Sequence, residues 1–333
     1  MVHIQPSETL RKAITKSRPD LKEISLNSYI TSLRSLFKRL NPNDDLKTQL
    51  NTKFLHDKKE IMKDVDKQVL NTKKNIISAI LVALGSDIPK PDKILDSYQI
   101  TLKELAGKYN DFIDSQQKSE SQQKNWISYS TFIDVLNGLL DDVKKYGIQK
   151  KEKLTRTEYT ILQKYVILSF YQTFPMRNDV ADMAVITQKE YDDLKDDTRK
   201  SHNYFVKTDN NKFKMYLNQF KNVSRIGAKT FEIPDKLAKI VKLWLKHNKS
   251  GWLFTLGNAR DPLNANGITK LLNSIFEKAC NGKKISSSML RHISISEKLK
   301  GEPTLLEKKA DEKKTEDLYM HSVSMNNAYR KID

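Results

Sequence analysis

Two stretches near the end of the sequence decide the predicted fold: SSSMLRH, from Ser286 to His292, and MHSVSMNNAYR, from Met320 to Arg330. In the first, Arg291 follows two apolar residues, which is typical of a helix with one buried side. In the second, His321 lies eight residues before Tyr329. Groups from separate segments can act together only if a folded domain brings them close. These stretches therefore predict a helical domain with a cationic site.

A third stretch, PMRNDVADM from Pro175 to Met183, is predicted to open a helix at Arg177. Exchange of phosphodiester bonds without a metal needs a nucleophile that holds the phosphoryl group, cations around its oxygens, and an acid for the leaving oxygen. Arginine suits the second role because its planar fork can donate two hydrogen bonds to one phosphate. The side chains of Arg177, Arg291, His321 and Tyr329 are of types that suit these roles. Each of these residues taken alone is more often structural, so the hypothesis depends on the whole set.

The composition favours a polyanionic partner. Lys and Arg number 59 against 41 Asp and Glu, which gives a formal net charge of +18. Such a surplus suits DNA or RNA ahead of an anionic membrane. The single cysteine, Cys280, excludes an internal disulfide framework and a cysteine-based zinc site. No apolar run approaches the roughly 18 residues of a membrane span, and the first residues do not resemble a signal peptide. We therefore expect an intracellular protein without a membrane partner.

The chain is predicted to be mainly helical and to hold two domains, because Gly and Pro are few and 333 residues can bury two cores. The polar stretch SQQKSESQQKN, from Ser115 to Asn125, is typical of an interdomain linker. Before it, apolar residues at helical spacing predict a lysine-rich helical bundle. Its charge suggests that it clamps DNA, and the alternative is a purely structural bundle. The predicted organisation is a flexible arm at 1–20, a helical DNA-binding domain at 21–114, a linker at 115–125 and a catalytic domain at 126–333.

The second domain is predicted to contain helices and a small antiparallel sheet. Thr155 to Glu158 fits a capping box that opens a buried helix. Short runs of β-prone residues separated by polar turns predict three strands: His202–Lys207, Phe213–Phe220 and Thr230–Ile233. Further helices are expected at 237–246 and 268–279.

The order of Arg177, Arg291, His321 and Tyr329 in one basic chain resembles the tyrosine recombinases, also called phage-type integrases. That family pattern is an Arg opening a helix, a Lys in a β-hairpin, a His-x-x-Arg box, a His or Trp, and a Tyr nucleophile close behind. Met320-His321-Ser322 is similar to the family's Leu-Gly-His-Ser box. The wording RND and SMLRH resembles divergent members from large DNA viruses and their virophages.

Two positions of the pattern have alternatives in this sequence. The hairpin lysine is matched best by Lys221, with Lys229 across the turn as the alternative. Tyr319 is the alternative nucleophile, because the spacing from His321 to Tyr329 is eight where the family usually has nine. The His-x-x-Arg box also departs from the pattern, since Ser288 stands where the family has its first histidine.

The resemblance implies a mainly α fold with a small antiparallel β-sheet, in which an N-terminal helical core-binding bundle precedes a tyrosine-recombinase-like catalytic domain. It implies a site-specific recombinase or integrase that acts through a covalent 3′-phosphotyrosyl intermediate, with no cofactor, metal or ATP. The implied partner is double-stranded DNA, bound as a homotetramer on two duplexes, in the nucleus or cytoplasm of a host cell if the protein is viral. Alternatives are a type IB topoisomerase or telomere resolvase, and a non-catalytic DNA-binding protein that keeps the fold.

Overall fold

The computed structural model describes residues 6–43, 52–87, 92–257 and 260–310. These residues form two compact units. Lys118–Glu302 make up the second unit, and the described residues before and after them make up the first. The predicted dominance of helix is confirmed. Among the described residues, no helix combines the length and the apolar character that crossing a membrane requires.

The first unit is a bundle built around one apolar helix. Its helices are α1 (Pro6–Ser17), α2 (Glu23–Leu40), α3 (Lys58–Val65), α4 (Leu70–Asp87) and α5 (Lys93–Asp114), with a short 3₁₀ helix at Lys53–His56. The segment IISAILVAL, 76–84, gives α4 buried apolar side chains on more than one face. A helix that is apolar over most of its surface belongs in the centre of a bundle. Accordingly, α4 packs against α1, α2 and α5.

The predicted flexible arm at 1–20 is wrong over residues 6–17. These residues form α1, whose Leu10 and Ile14 are buried in the core of the first unit. Arg11 also forms an ion pair with Glu23 at the start of α2. A single i, i+4 apolar pair among polar residues is too short a pattern to predict a helix, but it is enough to fix one against a preformed core. Residues 1–5 lie outside the described residues.

The second unit surrounds a buried helix. Its helices are α6 (Glu120–Asn125), α7 (Tyr129–Lys145), α8 (Arg156–Thr173), α9 (Gln188–Asp192), α10 (Asp196–Ser201), α11 (Val223–Ile226), α12 (Asp235–His247), α13 (Ala265–Ala279) and α14 (Ser287–Lys298), with a 3₁₀ helix at Ile148–Lys150. The predicted capping box is present at the start of α8, where Thr155 and Glu158 bond reciprocally. Leu162, Val166 and Phe170 of α8 are at most 2% exposed. Helices α7, α12, α13 and α14 all pack against α8.

The structure differs from the predicted domain boundaries in two places. The division between the units falls after Gln117, inside the predicted linker, but Ser119 caps a helical turn that runs through the rest of that linker. Residues 303–310 belong to the first unit, although the sequence predicts them in the catalytic domain. There, the Leu305 amide donates to the side chain of Gln116.

The sheet of the second unit has four strands and is mixed. The strands are β1 (Ala184–Thr187), β2 (Tyr204–Lys207), β3 (Phe213–Leu217) and β4 (Lys229–Glu232), in that spatial order. β2, β3 and β4 pair antiparallel as predicted, whereas β1 pairs parallel to β2. The prediction of a purely antiparallel sheet is therefore wrong. A parallel pair needs a crossover connection, and α9 with α10 supplies it.

Candidate active site

Arg177 lies on a loop between α8 and β1, and the predicted helix opening at this residue is wrong. Pro175 has no amide hydrogen with which to continue α8, and the Met176 amide instead donates to the carbonyl of Phe174 at 2.7 Å. At the other end of the loop, Asp182 adopts a left-handed conformation with φ of 52°. The side chain of Arg177 is exposed.

Asn178 fixes this loop against two helices. Its Oδ1 accepts a hydrogen bond of 2.8 Å from the hydroxyl of Tyr171 on α8. Its Nδ2 donates to the Ala265 carbonyl at 2.7 Å and to the Thr269 hydroxyl at 2.9 Å, both in the first turns of α13. The backbone that carries Arg177 is therefore held from both sides. The sequence pattern that singles out Arg177 assigns no role to Asn178.

Arg291 lies on α14, as the sequence predicts. Ser286 caps the helix by accepting from the Met289 amide, and the buried face holds Leu290 and Ile293. Arg291 is half-buried beside that face, whereas His292 is exposed. Burial of one side of α14 thus sets the direction in which Arg291 extends.

Asp179 brings the two arginines into one electrostatic site. Burial raises the pKa of the Asp179 carboxyl, while the positive charges of Arg177 and Arg291 each act to lower that pKa. Both guanidinium groups are therefore close enough to interact with the same carboxylate. Within the described part of the chain, neither arginine has a hydrogen bond or an ion pair. Their forks are thus available to a further anion.

Asn203 connects this loop to the segment that carries Lys221. Its Nδ2 donates to the Asp179 carbonyl at 3.0 Å and to the Gln219 carbonyl at 2.8 Å. Its Oδ1 accepts from the amides of Asn218 and Gln219, at 2.8 and 2.7 Å. One side chain therefore joins the Arg177 loop to the connection between β3 and β4. No local pattern signals this role, because Asn203 is predicted only as part of a strand.

Both lysines considered for the hairpin position lie in the β3–β4 connection or at its end. The sequence predicts Lys221 at the end of a strand, but β3 ends at Leu217 and Lys221 lies in a turn before α11. Lys229 is the first residue of β4 and pairs with Leu217. Both lysines are exposed.

Lys229 lies on the face of β4 that is directed towards the Arg177 loop. Phe231 lies on the same face of β4 as Lys229, since side chains alternate along a strand. The ring of Phe231 packs against Phe174, with centroids 5.7 Å apart. Phe174 begins the loop that carries Arg177. Each of the two lysines therefore has a structural link to the Arg177 loop, Lys221 through Asn203 and Lys229 through Phe231.

The remaining predicted site residues are His321 and Tyr329, with Tyr319 as the alternative nucleophile. All three lie outside the described residues. Ser288, in place of the histidine of the His-x-x-Arg box, is exposed on α14. No cluster of three or more His, Cys, Asp or Glu that could hold a metal ion occurs in the described ranges.

Comparison with known proteins adds no assignment, since no family model and no curated protein matches this chain. The site is therefore defined by its own geometry. It consists of two arginines around a partly buried carboxylate, with exposed lysines on an adjoining connection.

Proposed function

We propose that this chain is a DNA strand-exchange enzyme of the tyrosine recombinase type. The observation that supports the proposal most is the action of Arg177 and Arg291 on the same carboxylate, that of Asp179. The two arginines come from separate segments and have no ion pair among the described residues. Two guanidinium groups near one point can bind the non-bridging oxygens of one phosphate.

Asp179 has a clear physical role in such a site. Two guanidinium groups that face one point repel each other, and a nearby carboxylate reduces this repulsion in the absence of substrate. When a phosphate enters, it adds a second anion that attracts both arginines. Preorganised charge of this kind is the largest contribution to many enzymatic rate enhancements.

In the proposed reaction, the Tyr329 hydroxyl loses its proton to solvent and its oxygen attacks the scissile phosphorus, which forms a 3′-phosphotyrosyl bond while the bond to the 5′-oxygen breaks. Arg177, Arg291 and His321 bind the phosphoryl oxygens as negative charge develops. The leaving 5′-oxygen takes a proton from Lys221 or Lys229. The 5′-hydroxyl of a partner strand then attacks the phosphotyrosyl bond and releases the tyrosine. One phosphodiester replaces another, so the cycle needs neither ATP nor a metal.

Recombination in this scheme joins two duplexes, which a homotetramer would hold together. A type IB topoisomerase or a telomere resolvase would share the covalent chemistry but act on a single duplex. The products separate these cases, because only a recombinase links strands from two different duplexes. Labelling the two duplexes differently makes such products visible.

A second candidate function is DNA binding without catalysis, and Ser288 favours it. A serine hydroxyl cannot accept the nucleophile's proton near neutral pH as an imidazole can. Loss of the imidazole at this position is the change expected in a protein that keeps the fold and the phosphate contacts but no longer cuts DNA.

The experiment that tests the proposed function is covalent trapping. A pool of duplexes nicked near varied sequences would be incubated with the chain and run on a denaturing gel. We expect a protein–DNA adduct that Tyr329→Phe abolishes and Tyr319→Phe leaves in place. An adduct lost only in Tyr319→Phe would identify Tyr319 as the nucleophile. Duplex binding without any adduct would support the non-catalytic candidate.

A further inference from the structure

The exposed side of α12 carries a row of lysines that the candidate active site does not include. They lie three or four residues apart, and all four are exposed: Lys236, Lys239, Lys242 and Lys246. We term them the lysine ridge. At about 100° per residue they fall within an arc of roughly 120°, and at 1.5 Å per residue they extend over about 15 Å of helix axis.

The helix that presents the lysine ridge is firmly held. On its opposite side, Leu237, Val241 and Trp244 are at most 2% exposed. The indole Nε1 of Trp244 donates to the Leu253 carbonyl at 2.7 Å, and its ring lies 4.7 Å from that of Tyr159. The ridge is therefore a row of charges on a rigid support.

Some lysines in the described ranges are paired with acidic residues, whereas those of the lysine ridge are not. Lys63 and Lys144 on other helices each pair with an acidic residue three positions earlier. No ridge lysine has an ion pair within the described ranges, and the only acidic residue of α12 is Asp235 at its start. A helix face that serves only solubility usually alternates its charges. Four lysines against one aspartate at the start of this face leave an excess of positive charge, which suits a polyanion.

The basic surface continues beyond the helix. The Lys246 ammonium donates to the Lys151 carbonyl at 2.9 Å, which places this end of the ridge against the loop before α8. Lys150 at the end of the preceding 3₁₀ helix and Lys153 of that loop are also exposed, with one exposed acidic residue, Glu152, between them. Additional charge therefore lies next to the last lysine of the ridge.

The spacing of the lysine ridge matches a nucleic-acid backbone. Duplex DNA carries one phosphate per strand for about every 3.4 Å of its axis, so 15 Å corresponds to roughly four phosphates on one strand. Four ammonium groups over that distance can each meet one phosphate. Lysine binds phosphate as a flexible point charge, which suits contacts to the backbone rather than to base edges.

We propose that the lysine ridge of α12 binds the phosphate backbone of duplex DNA without reading its sequence, as a contact surface outside the candidate active site. The inference rests on the proposed function for the choice of DNA as the polyanion. It gives the second unit an affinity for DNA that does not depend on the scissile phosphate.

The test compares two triple variants of equal net charge. Lys236→Gln/Lys239→Gln/Lys242→Gln removes three ridge charges and leaves Lys246 with its bond to Lys151. The control, Lys189→Gln/Lys195→Gln/Lys200→Gln, removes three exposed charges between β1 and β2 of the same unit. Binding to a duplex of random sequence would be measured over a range of salt concentrations. Fluorescence of Trp244, on α12 itself, would check that the helix remains packed.

We expect the ridge variant to lower the slope of log affinity against log salt by about 0.9 for each phosphate that is no longer neutralised, or nearly 3 in total. The control should lower it by less than about 1. Equal slopes in the two variants would overturn the inference. Failure of the parent chain to bind duplex DNA at low salt would also overturn it, and would point to an acidic protein as the partner of the ridge.

The outcomes also separate this inference from the proposed function. If the slope falls but no covalent adduct forms with any nicked duplex, the ridge contact stands and the strand-exchange proposal fails. If an adduct forms and the slope does not change in the ridge variant, the reaction stands and the ridge contact fails.

Discussion

Replacement of Asn178 by alanine should destabilise the second unit and release the loop that carries Arg177. The substitution removes three hydrogen bonds, one from the Tyr171 hydroxyl and two to α13. A typical net contribution is about 1 kcal/mol for each. The Tyr171 ring is only 1% exposed, so its hydroxyl would lose a partner where water has little access. The Ser287 side chain also interacts with that hydroxyl and would offset part of the loss. We expect the free energy of unfolding to fall by about 2–4 kcal/mol.

Tryptophan fluorescence suits this measurement, because Trp126, Trp244 and Trp252 are the only tryptophans and all lie in the second unit. Denaturant unfolding followed by their emission would therefore report the unit that holds the site. Asn210→Ala is a matched control, since Asn210 is exposed in a turn and its side chain bonds only to Thr208 among the described residues. The control should change stability by less than about 0.5 kcal/mol. A loss of stability in Asn178→Ala no larger than that of the control would refute the assignment of Asn178 as the anchor of the loop.

Three further predictions concern single side chains. Burial raises the pKa of Asp179, so ionisation of its carboxyl is less favourable in the folded chain than in the unfolded chain. Asp179→Asn should therefore be more stable than the parent at pH 7, and the gain should disappear as the pH falls below the ordinary aspartate value; a loss of stability at pH 7 would contradict this. For Glu158 the sign is opposite, because hydrogen bonds from Lys151 and from the Thr155 amide lower its pKa. Glu158→Gln should be less stable than the parent at pH 7, and the difference in their free energies of unfolding should shrink as the pH falls through the lowered pKa. A difference that stays constant over this pH range would contradict the interaction of Glu158 with Lys151. In the first unit, Ile14→Ala should lower the free energy of unfolding by about 2–5 kcal/mol, because Ile14 is fully buried. Unfolding would be followed by the loss of helical circular dichroism. No change in stability would mean that α1 does not belong to the core.

Features with strong local signals were predictable from the sequence. The capping box at Thr155 lies where helix α8 begins, because both of its partners are neighbours in the chain. Strands β2, β3 and β4 lie at the predicted segments with ends that differ by up to three residues, since alternating β-prone residues between polar turns are a local pattern. The prediction of two units also follows from length and from the polar stretch at 115–125.

Features that depend on distant partners were not predictable. The pairing of strand β1 with β2 requires the crossover through α9 and α10, which no local pattern indicates. The loop at Arg177 is predicted as a helix because Pro175 is acceptable in a first helical turn. The structure instead uses that proline to end α8, with Asn178 bonded to residues of α13 that lie 87 and 91 positions away.

In the candidate site, too, some features were predictable from the sequence and others were not. Arg177 and Arg291 are candidates because their order resembles a family pattern, and the structure brings both into interaction with Asp179. That sequence pattern contains no sign of Asn203, whose four hydrogen bonds join two loops. The choice between Lys221 and Lys229 likewise depends on the face of β4 on which Lys229 lies, and a shift of one residue in the strand register would place Lys229 on the other face.

Joint action of Arg177 and Arg291 on one phosphate is tested most directly by the rate of covalent adduct formation. Arg177→Gln, Arg291→Gln and the double variant would be compared on the same nicked duplex, with Arg156→Gln as an exposed control. Each single variant should be slower by about 10²–10³-fold, as for the loss of one preorganised donor. The double variant should be at most about tenfold slower than the worse single variant, because residues that act as a unit are not additive. A single variant with the parental rate, or two effects that multiply in full, would contradict joint action on one phosphate.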